Sequence, residues 1–159
     1  MNLQQIGFKG FLSLREVIDS KYNMIPNLMG VYVILSNDKI ITFLDESVGG
    51  HFKRKNPTID KSSLKDNWVD GTSILYVGKA GGTKSGSTLK KRIRQYMLFG
   101  SGKPVGHWGG RLIWQIKENR DLLLAYKILD KIEPREYEKE LIADFSREFG
   151  RLPFANLAH

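Results

Sequence analysis

The sequence predicts a single domain that combines β-strands with α-helices. A chain of 159 residues can bury one hydrophobic core but is too short for two domains. β-Branched and aromatic residues form two apolar runs, at 31–35 and 74–77, that are typical of strands. Apolar residues recur at helical spacing in 89–97 and again in 134–149. Without an internal repeat, these signals favour a mixed architecture in one domain that covers residues 1–159.

Shorter elements are predicted before and after the first strand. Ser13 and Glu16 have the spacing of a capping box, so a short helix is expected to begin there. We therefore expect residues 1–29 to form a helical extension. Residues 36–38 are Ser-Asn-Asp, which is turn chemistry, and 40–44 is expected to return as a strand.

The remaining segments carry weaker patterns. Residues 45–72 are polar and interrupted by glycine and proline, and a structureless stretch of this length is usually functional or mobile. Residues 100–110 form a glycine-rich connection, and 111–117 is expected to be a short helix. Residues 122–129 fit a helix by propensity and a central strand by uniform burial, so the pattern leaves both open.

The charge of the chain indicates a class of partner. Lys and Arg number 25 against 17 Asp and Glu, which gives a formal net charge of +8 and a pI of about 9.7. A small domain with this excess attracts polyanions, because neutralising phosphates releases condensed counterions. A basic protein with no role in nucleic-acid binding would have the same composition.

Composition also indicates the compartment in which the protein works. The chain has no cysteine, which excludes disulfides and thiolate metal sites and fits a reducing compartment. No apolar run is long enough to span a membrane, and the N-terminus lacks the apolar stretch of a signal peptide. The sequence therefore predicts a cytoplasmic protein that does not act at a membrane.

The final helix contains a carboxylate at an unusual position. Pro134 in its first turn and Gly150 beyond its end delimit this helix. In helical projection, Glu138 falls between Leu141 and Phe145, within the apolar stripe. An ionised carboxylate there is costly unless it is paired or coordinates a cation. An ordinary ion pair and a functional metal ligand are both compatible with this pattern.

Two further patterns involve residues suited to phosphate chemistry. Arg92 and Tyr96 are four positions apart on one helix edge, where they suit a phosphate oxygen and a water but also a solvated flank. Tyr32 and Tyr76 are each central in an apolar strand, where tyrosines usually pack and satisfy one hydrogen bond. A histidine-centred triad has little support, because the three histidines are scattered at His51, His107 and His159.

Taken together, these residues resemble the GIY-YIG nuclease family. Within that family, the motif sequences are most similar to those of the N-terminal nuclease domain of the bacterial excision-repair incision enzyme. Five motifs in the same chain order carry the resemblance, which covers most of the chain: Gly30-Val31-Tyr32, Tyr76-Val77-Gly78-Lys79-Ala80, Leu89 to Tyr96, Glu138 to Ile142 and Pro153-Phe154-Ala155-Asn156. The resemblance implies an α+β fold, with a small antiparallel sheet of about three strands flanked by helices. It also favours a strand at 122–129.

The resemblance implies a role for each matching residue. Glu138 would hold a single divalent cation, Mg²⁺ or alternatively Mn²⁺, which accept oxygen ligands. Arg92 would bind the scissile phosphate and offset charge in the transition state. Tyr32 and Tyr76 would line the site, and one of them would orient or deprotonate the attacking water.

The other matching residues would support the site. Lys79 and Tyr96 match supporting positions, and Asn156 would brace the hydrogen bonds on the metal side. The implied activity is that of a metal-dependent endonuclease that hydrolyses DNA phosphodiesters. A non-catalytic DNA- or RNA-binding module with the same fold and a plain basic scaffold protein are the alternatives.

The chain departs from the family pattern in three places. The family joins its two named tyrosines by a short turn, whereas here the insertion at 45–72 must loop out of the sheet or add a strand. More residues separate Glu138 from Asn156 than in the repair enzyme. His107 has no general counterpart, so a structural or turn role competes with assistance to catalysis.

The expected partner is DNA, and RNA remains open. The sequence contains no helix-turn-helix or zinc module, so a homodimer, a protein partner or the insertion would have to supply targeting. Six basic residues are candidates for contacting nucleic acid: Lys53, Arg54, Lys55, Lys90, Lys91 and Arg94.

Overall fold

The structure, a computed structural model, is an α+β domain and describes residues 1–37 and 39–157. In this described part, four strands form one sheet: β1 (Lys9–Ser13), β2 (Gly30–Leu35), β3 (Ile74–Ala80) and β4 (Leu123–Ile128). The same residues form four α-helices: α1 (Leu14–Asp19), α2 (Lys61–Asn67), α3 (Leu89–Gly100) and α4 (Pro134–Phe149). The expected turn at 36–38 includes Asp38, which lies outside the described residues, as does His159.

The sheet is antiparallel and has the strand order β1-β4-β2-β3. The expectation of about three strands was wrong by one, because β1 adds a fourth at the edge beside β4. This strand lies in the 1–29 extension that was expected to be helical. Its register shifts between Gly10 and Leu12, and Phe11 has a positive φ of 53°. Such an irregular strand depends on its partner and leaves no period-2 pattern in the sequence.

The main predicted elements are confirmed. All six residues of β2 are buried, since the strand has neighbours on both sides and is covered on both faces. Strand β4 (Leu123–Ile128) lies within residues 122–129, which agrees with the strand that the resemblance favoured. The Ser13 side chain accepts from the Glu16 backbone N–H, which completes the capping box of α1. Helix α4 ends at Gly150 in the left-handed conformation, as its sequence predicts.

Two smaller predictions, at 40–44 and 111–117, were wrong or only partly right, whereas the insertion follows one of its two expected courses. Residues 40–44 are not a strand, and only an isolated bridge joins Phe43 to Ile116. Both edges of β2 are occupied by β3 and β4, so a returning strand has no edge to join. The insertion at 45–72, all of which is described, loops out of the sheet without adding a strand and forms α2 and a short 3-10 turn. At 111–117 the expected helix is a 3-10 helix over Arg111–Gln115.

The sheet separates two hydrophobic cores. Alternate residues of β2 point to opposite faces, so Tyr32 packs with α3, whereas Val31 and Val33 pack with α4. None of the helices in the part of the chain that the structure describes is long and apolar enough to cross a membrane. Because α3 and α4 cover opposite faces, side chains from both can meet only around an edge of the sheet.

Candidate active site

A cleft of about 550 Å³ lies at the free edge of β3. It receives side chains from β2 and β3, from α3 and α4, and from the C-terminal segment. Six of the seven residues predicted to be catalytic line it: Tyr32, Tyr76, Lys79, Arg92, Glu138 and Asn156. Residues distant in the sequence therefore converge on one cavity.

The two tyrosines are placed by neighbouring strands and by a glycine between them. Tyr32 pairs across the sheet with Gly78, and a Cβ on Gly78 would lie 2.4 Å from the Tyr32 ring carbon Cζ. Only glycine lets the ring lie flat over β3 at this point. The rings of Tyr32 and Tyr76 then meet edge to face at 6.1 Å.

Both phenols are held in the protonated state. Burial raises the pKa of Tyr76 to about 12, and the negative charge of Glu138 adds to this, whereas the positive charge of Arg92 opposes it. Burial, followed by the effect of Tyr76, raises the pKa of Tyr32 well above its ordinary value. At neutral pH, the two hydroxyl groups therefore act through hydrogen bonds rather than as phenolates.

Arg92 enters the cleft from α3. One terminal nitrogen of its guanidinium, Nη1, donates to the Gly106 carbonyl at 3.1 Å and to the Gln95 side chain at 2.9 Å. These bonds hold the planar group in one orientation and leave its positive charge beside the tyrosines, whose pKa values it lowers.

Glu138 reaches the cleft from α4 on the other face of the sheet. The burial of Leu141 and Ile142 against the sheet sets the rotation of α4 and turns half-buried Glu138 toward the edge of β3. Glu138 lines the same cleft as Tyr32 and Tyr76, and its charge raises the pKa of both phenols. The carboxylate that helical projection placed on the apolar stripe thus lies at its cleft-facing border.

Tyr96 lies behind the cleft rather than in its lining. Its side chain is fully buried, and its hydroxyl donates to the Gly110 carbonyl at 2.6 Å. The ring packs against Tyr76 at 5.5 Å and Tyr32 at 6.3 Å. Tyr96 therefore supports the two lining tyrosines from behind.

Asn156 completes the outer edge of β3. Its side-chain amide donates to the Val77 carbonyl and accepts from the Val77 N–H, both at 2.9 Å. The Ala155 N–H donates to the Leu75 carbonyl at 2.8 Å. The C-terminal segment thus satisfies backbone groups of an edge strand that has no neighbouring strand. These bonds brace the strand that carries Tyr76 and the exposed Lys79.

The segment 106–110, which we call the clasp, was not predicted as part of the site. The proposed catalytic residues on the face of the sheet that α3 covers all contact it. The Gly106 carbonyl accepts from Arg92 and the Gly110 carbonyl from Tyr96, while Gly109 lies beside the Tyr76 hydroxyl. Gly110 has a φ of 80°, and a Cβ there would lie 2.7 Å from the Tyr76 ring. The sequence signals were the density of glycines in 100–110 and His107, for which assistance to catalysis was an alternative to a structural or turn role.

His107 is the fully buried centre of the clasp. Its Nε2 lies 2.9 Å from the Tyr32 hydroxyl oxygen and its Nδ1 lies 2.8 Å from the Gly109 carbonyl oxygen. The imidazole stacks on the Tyr96 ring at 4.0 Å. Burial lowers the pKa of His107 to about 3, and the charge of Arg92 contributes. The expected turn role is present, and it is combined with a direct contact to Tyr32.

A second arginine side chain, that of Arg111, borders the cleft beside the clasp. The Arg111 guanidinium lies over the Trp108 ring at 4.7 Å from its centroid, and its Nη1 donates to the Trp108 carbonyl at 3.3 Å. Both side chains line the cleft. Sequence reasoning placed 111 in a short helix and did not identify it.

The six residues predicted to contact nucleic acid lie outside the cleft lining. Lys53, Arg54 and Lys55 are exposed in the insertion, next to Phe52, whose ring lies against Gly106 of the clasp. On α3, the Lys91 ammonium donates to the Gly86 carbonyl at 3.3 Å. The other two basic residues of this helix lie on a different side from Arg92: Lys90 and Arg94.

The donor set is compatible with a cation that keeps water in its coordination shell. Within residues 1–37 and 39–157, no group of three or more His, Asp or Glu side chains is arranged to hold a metal ion. Mg²⁺ is commonly bound through one or two carboxylates together with waters and substrate phosphate oxygens. Glu138, at the border of an open cleft, fits that requirement as a single protein ligand.

Comparisons with known proteins gave no relative to set beside this geometry. A scan against protein-family models found no match, and searches of curated proteins and of solved structures found none either.

Proposed function

We propose that the protein is a metal-dependent endonuclease of the GIY-YIG kind that hydrolyses phosphodiester bonds of DNA. The observation that carries the proposal is the convergence of Tyr32, Tyr76, Arg92 and Glu138 in one cleft. These residues come from four elements and two faces of the sheet. Packing alone gives no reason for a carboxylate, a guanidinium and two phenols to meet at the same edge.

The motifs that carry the resemblance also have physical reasons to be where they are. Gly78 is required by the Tyr32 ring above it, and Asn156 is required by the unpaired backbone of Val77. The implied Mg²⁺ or Mn²⁺ would be held by Glu138. The arrangement supports assignment of the chain to this family of nucleases, with DNA as the substrate and RNA as the alternative.

The residues suit an in-line displacement at phosphorus. Arg92 would bind the scissile phosphate, and Arg111 supplies a second positive charge along the same cleft. The phenols would orient a water, whose oxygen attacks phosphorus while the bond to one sugar oxygen breaks. The attacking water gives up its proton to solvent, and the departing sugar oxygen takes a proton from solvent. When bound to Glu138, the cation would supply Lewis acidity and would stabilise the leaving oxygen. Lys79, exposed at the rim, offers a further positive charge.

A plasmid assay tests the proposal. Purified protein is incubated with supercoiled DNA and either Mg²⁺ or Mn²⁺, and nicked and linear products are quantified. Glu138→Gln keeps the shape of the side chain and removes its charge, so the rate is expected to fall by about 100-fold or more. Glu140→Gln is the matched control, since it makes the same change at an exposed position of α4.

Two results would contradict the proposal: no cleavage by the wild-type protein with either metal, or equal cleavage by both variants. Salt-sensitive retention of DNA without cleavage would instead indicate a non-catalytic binding module. An RNA substrate in the same assay distinguishes the two nucleic acids.

A further inference from the structure

His107 makes two hydrogen bonds, and the chemistry of one of them determines the other. A backbone carbonyl can only accept, so the Nδ1 atom that faces the Gly109 carbonyl at 2.8 Å must carry the proton. The imidazole is fully buried, which disfavours a second proton on the ring. Nε2 is therefore an unprotonated acceptor.

The Tyr32 hydroxyl must then donate to His107. Its oxygen lies 2.9 Å from Nε2, and an unprotonated nitrogen can pair with it only by accepting its proton. Tyr76 pairs with Tyr32 in the opposite sense, because its hydroxyl stays protonated at neutral pH and can donate to the Tyr32 oxygen. With its proton directed at His107, the Tyr32 oxygen presents its lone pairs to Tyr76 and to the cleft that it lines.

We propose that His107 is a positioning residue that directs the Tyr32 proton away from the cleft, so that Tyr32 accepts a hydrogen bond from the attacking water. This inference rests on the proposed nuclease function and deepens it. It assigns Tyr32 to orienting the water by acceptance rather than to deprotonating it. The GIY-YIG resemblance supplies no counterpart for this residue.

The clasp makes this arrangement rigid. The Tyr96 ring stacks on the imidazole at 4.0 Å, and Tyr96 is itself tied to the Gly110 carbonyl. The Arg92 guanidinium is bonded to Gly106, the residue before His107. The water-orienting phenol and the phosphate-binding guanidinium are thus held by adjacent residues of one short segment.

A pair of substitutions separates the two bonds of His107. In His107→Asn, the side-chain amide can occupy the place of Nδ1 and donate to Gly109, but nothing accepts from Tyr32. In His107→Gln, the side-chain oxygen can reach the place of Nε2 and accept from Tyr32, while the turn bond is lost. We expect kcat for DNA cleavage to fall about 10–100-fold in His107→Asn with KM within about twofold. We expect His107→Gln to stay within about fivefold of wild type in kcat.

A double substitution identifies the route of the effect. In a Tyr32→Phe background the hydroxyl is absent, so adding His107→Asn is expected to cost no further activity. Long-range proton–nitrogen NMR of the wild-type imidazole is expected to show Nδ1 protonated and Nε2 unprotonated at neutral pH. The Nε2 resonance is expected to move in Tyr32→Phe, which removes its donor.

The outcomes distinguish this inference from the proposed function. A proton on Nε2 overturns the inference whether or not the protein cleaves DNA. If the wild type cleaves and His107→Asn cleaves equally well, or if both His107 variants lose the same activity, only the role of His107 is overturned. If the wild type cleaves neither DNA nor RNA with either metal, the nuclease function fails and the role of His107 fails with it.

Discussion

At the scale of single residues, the site depends on one side chain whose protonation state is set by burial and on one glycine that leaves room for a ring. His107 is kept neutral inside the protein, and Gly78 leaves the space that the Tyr32 ring occupies. Neither residue is a chemical reactant in the proposed reaction. Both determine where the Tyr32 phenol lies, so their effects on stability and on cleavage can be measured separately.

The neutral state of His107 predicts that stability falls in acid. Its pKa is about 3 in the folded protein against 6.5 for an ordinary histidine, so the unfolded chain binds a proton first as the pH falls. The stabilisation is complete above pH 6.5 and is lost as the pH falls toward 3. Between pH 7 and pH 5 the free energy of unfolding from this group is expected to drop by about 2 kcal/mol.

Urea denaturation of wild type and of His107→Gln at the two pH values measures this drop. The variant lacks the titrating group, so its stability is expected to change less over the same interval. An equal change in both proteins would mean that other groups are responsible.

Replacing Gly78 by alanine is expected to disturb Tyr32 directly. The added Cβ would lie 2.4 Å from the ring carbon Cζ, and the pairing of Gly78 with Tyr32 between β2 and β3 keeps the two residues at this distance. We expect a loss of about 1–3 kcal/mol in the free energy of unfolding, together with loss of DNA cleavage. Gly86→Ala is the control, because a Cβ there has no heavy atom within 4 Å. Equal stability of the two variants in urea would contradict the predicted clash.

At the scale of elements, the C-terminal segment takes the place of a strand beside β3. Asn156 pairs with both backbone groups of Val77, and Ala155 pairs with Leu75. The segment lies immediately after α4, so the helix that carries Glu138 and the strand that carries Tyr76 are linked through it. A change in this segment is therefore expected to affect both sides of the cleft.

Asn156→Ala tests this link. It leaves the N–H and the carbonyl of Val77 without their partner, and each such group costs about 1–3 kcal/mol when it stays buried. We expect lower stability in urea and faster amide hydrogen exchange at Val77. Asn56→Ala is the matched control, because Asn56 is exposed and its side chain accepts only from the nearby Thr58 N–H. Unchanged exchange at Val77 in Asn156→Ala would show that the edge of β3 does not depend on this amide.

At the scale of the whole molecule, the cleft lining holds three of the 25 Lys and Arg residues: Lys79, Arg92 and Arg111. The basic residues of the insertion lie next to the clasp through the contact of Phe52 with Gly106. Arg94 lies about 200° around α3 from Arg92. The charge of Arg94 acts on Tyr22, in the segment after α1. The insertion is therefore the better placed of the two groups to contact DNA that occupies the cleft.

Salt dependence of binding distinguishes the two groups. Neutralising Lys53 and Lys55 together, by substitution with glutamine, is expected to reduce the slope of log affinity against log salt by about 2. The matched double substitution of Lys90 and Arg94 is expected to reduce it by less than about 1. Fluorescence anisotropy of a labelled duplex without divalent metal provides the measurement. A larger effect from Lys90 and Arg94 would place the DNA on the other side of α3.

The elements that could be predicted from the sequence are those whose patterns are local. The apolar runs of β2 and β3, the stripe of α4 and the capping box of α1 each record burial or hydrogen bonding within a few residues. The position of Glu138 on the apolar stripe was visible for the same reason. The order of the motifs indicated which other residues belong to the site, and Tyr32, Tyr76 and Arg92 do line one cleft with Glu138.

Features that depend on long-range pairing became visible in the folded chain. Lys9–Ser13 becomes a strand because β4 offers an edge, whereas 40–44 stays out of the sheet because β2 has none left. The clasp has no periodic pattern, since its glycines and His107 are required by aromatic rings that lie elsewhere in the chain. The periodicity of a sequence predicts whether a side chain is buried. Which side chain or backbone group it contacts depends on how distant segments of the chain pack together.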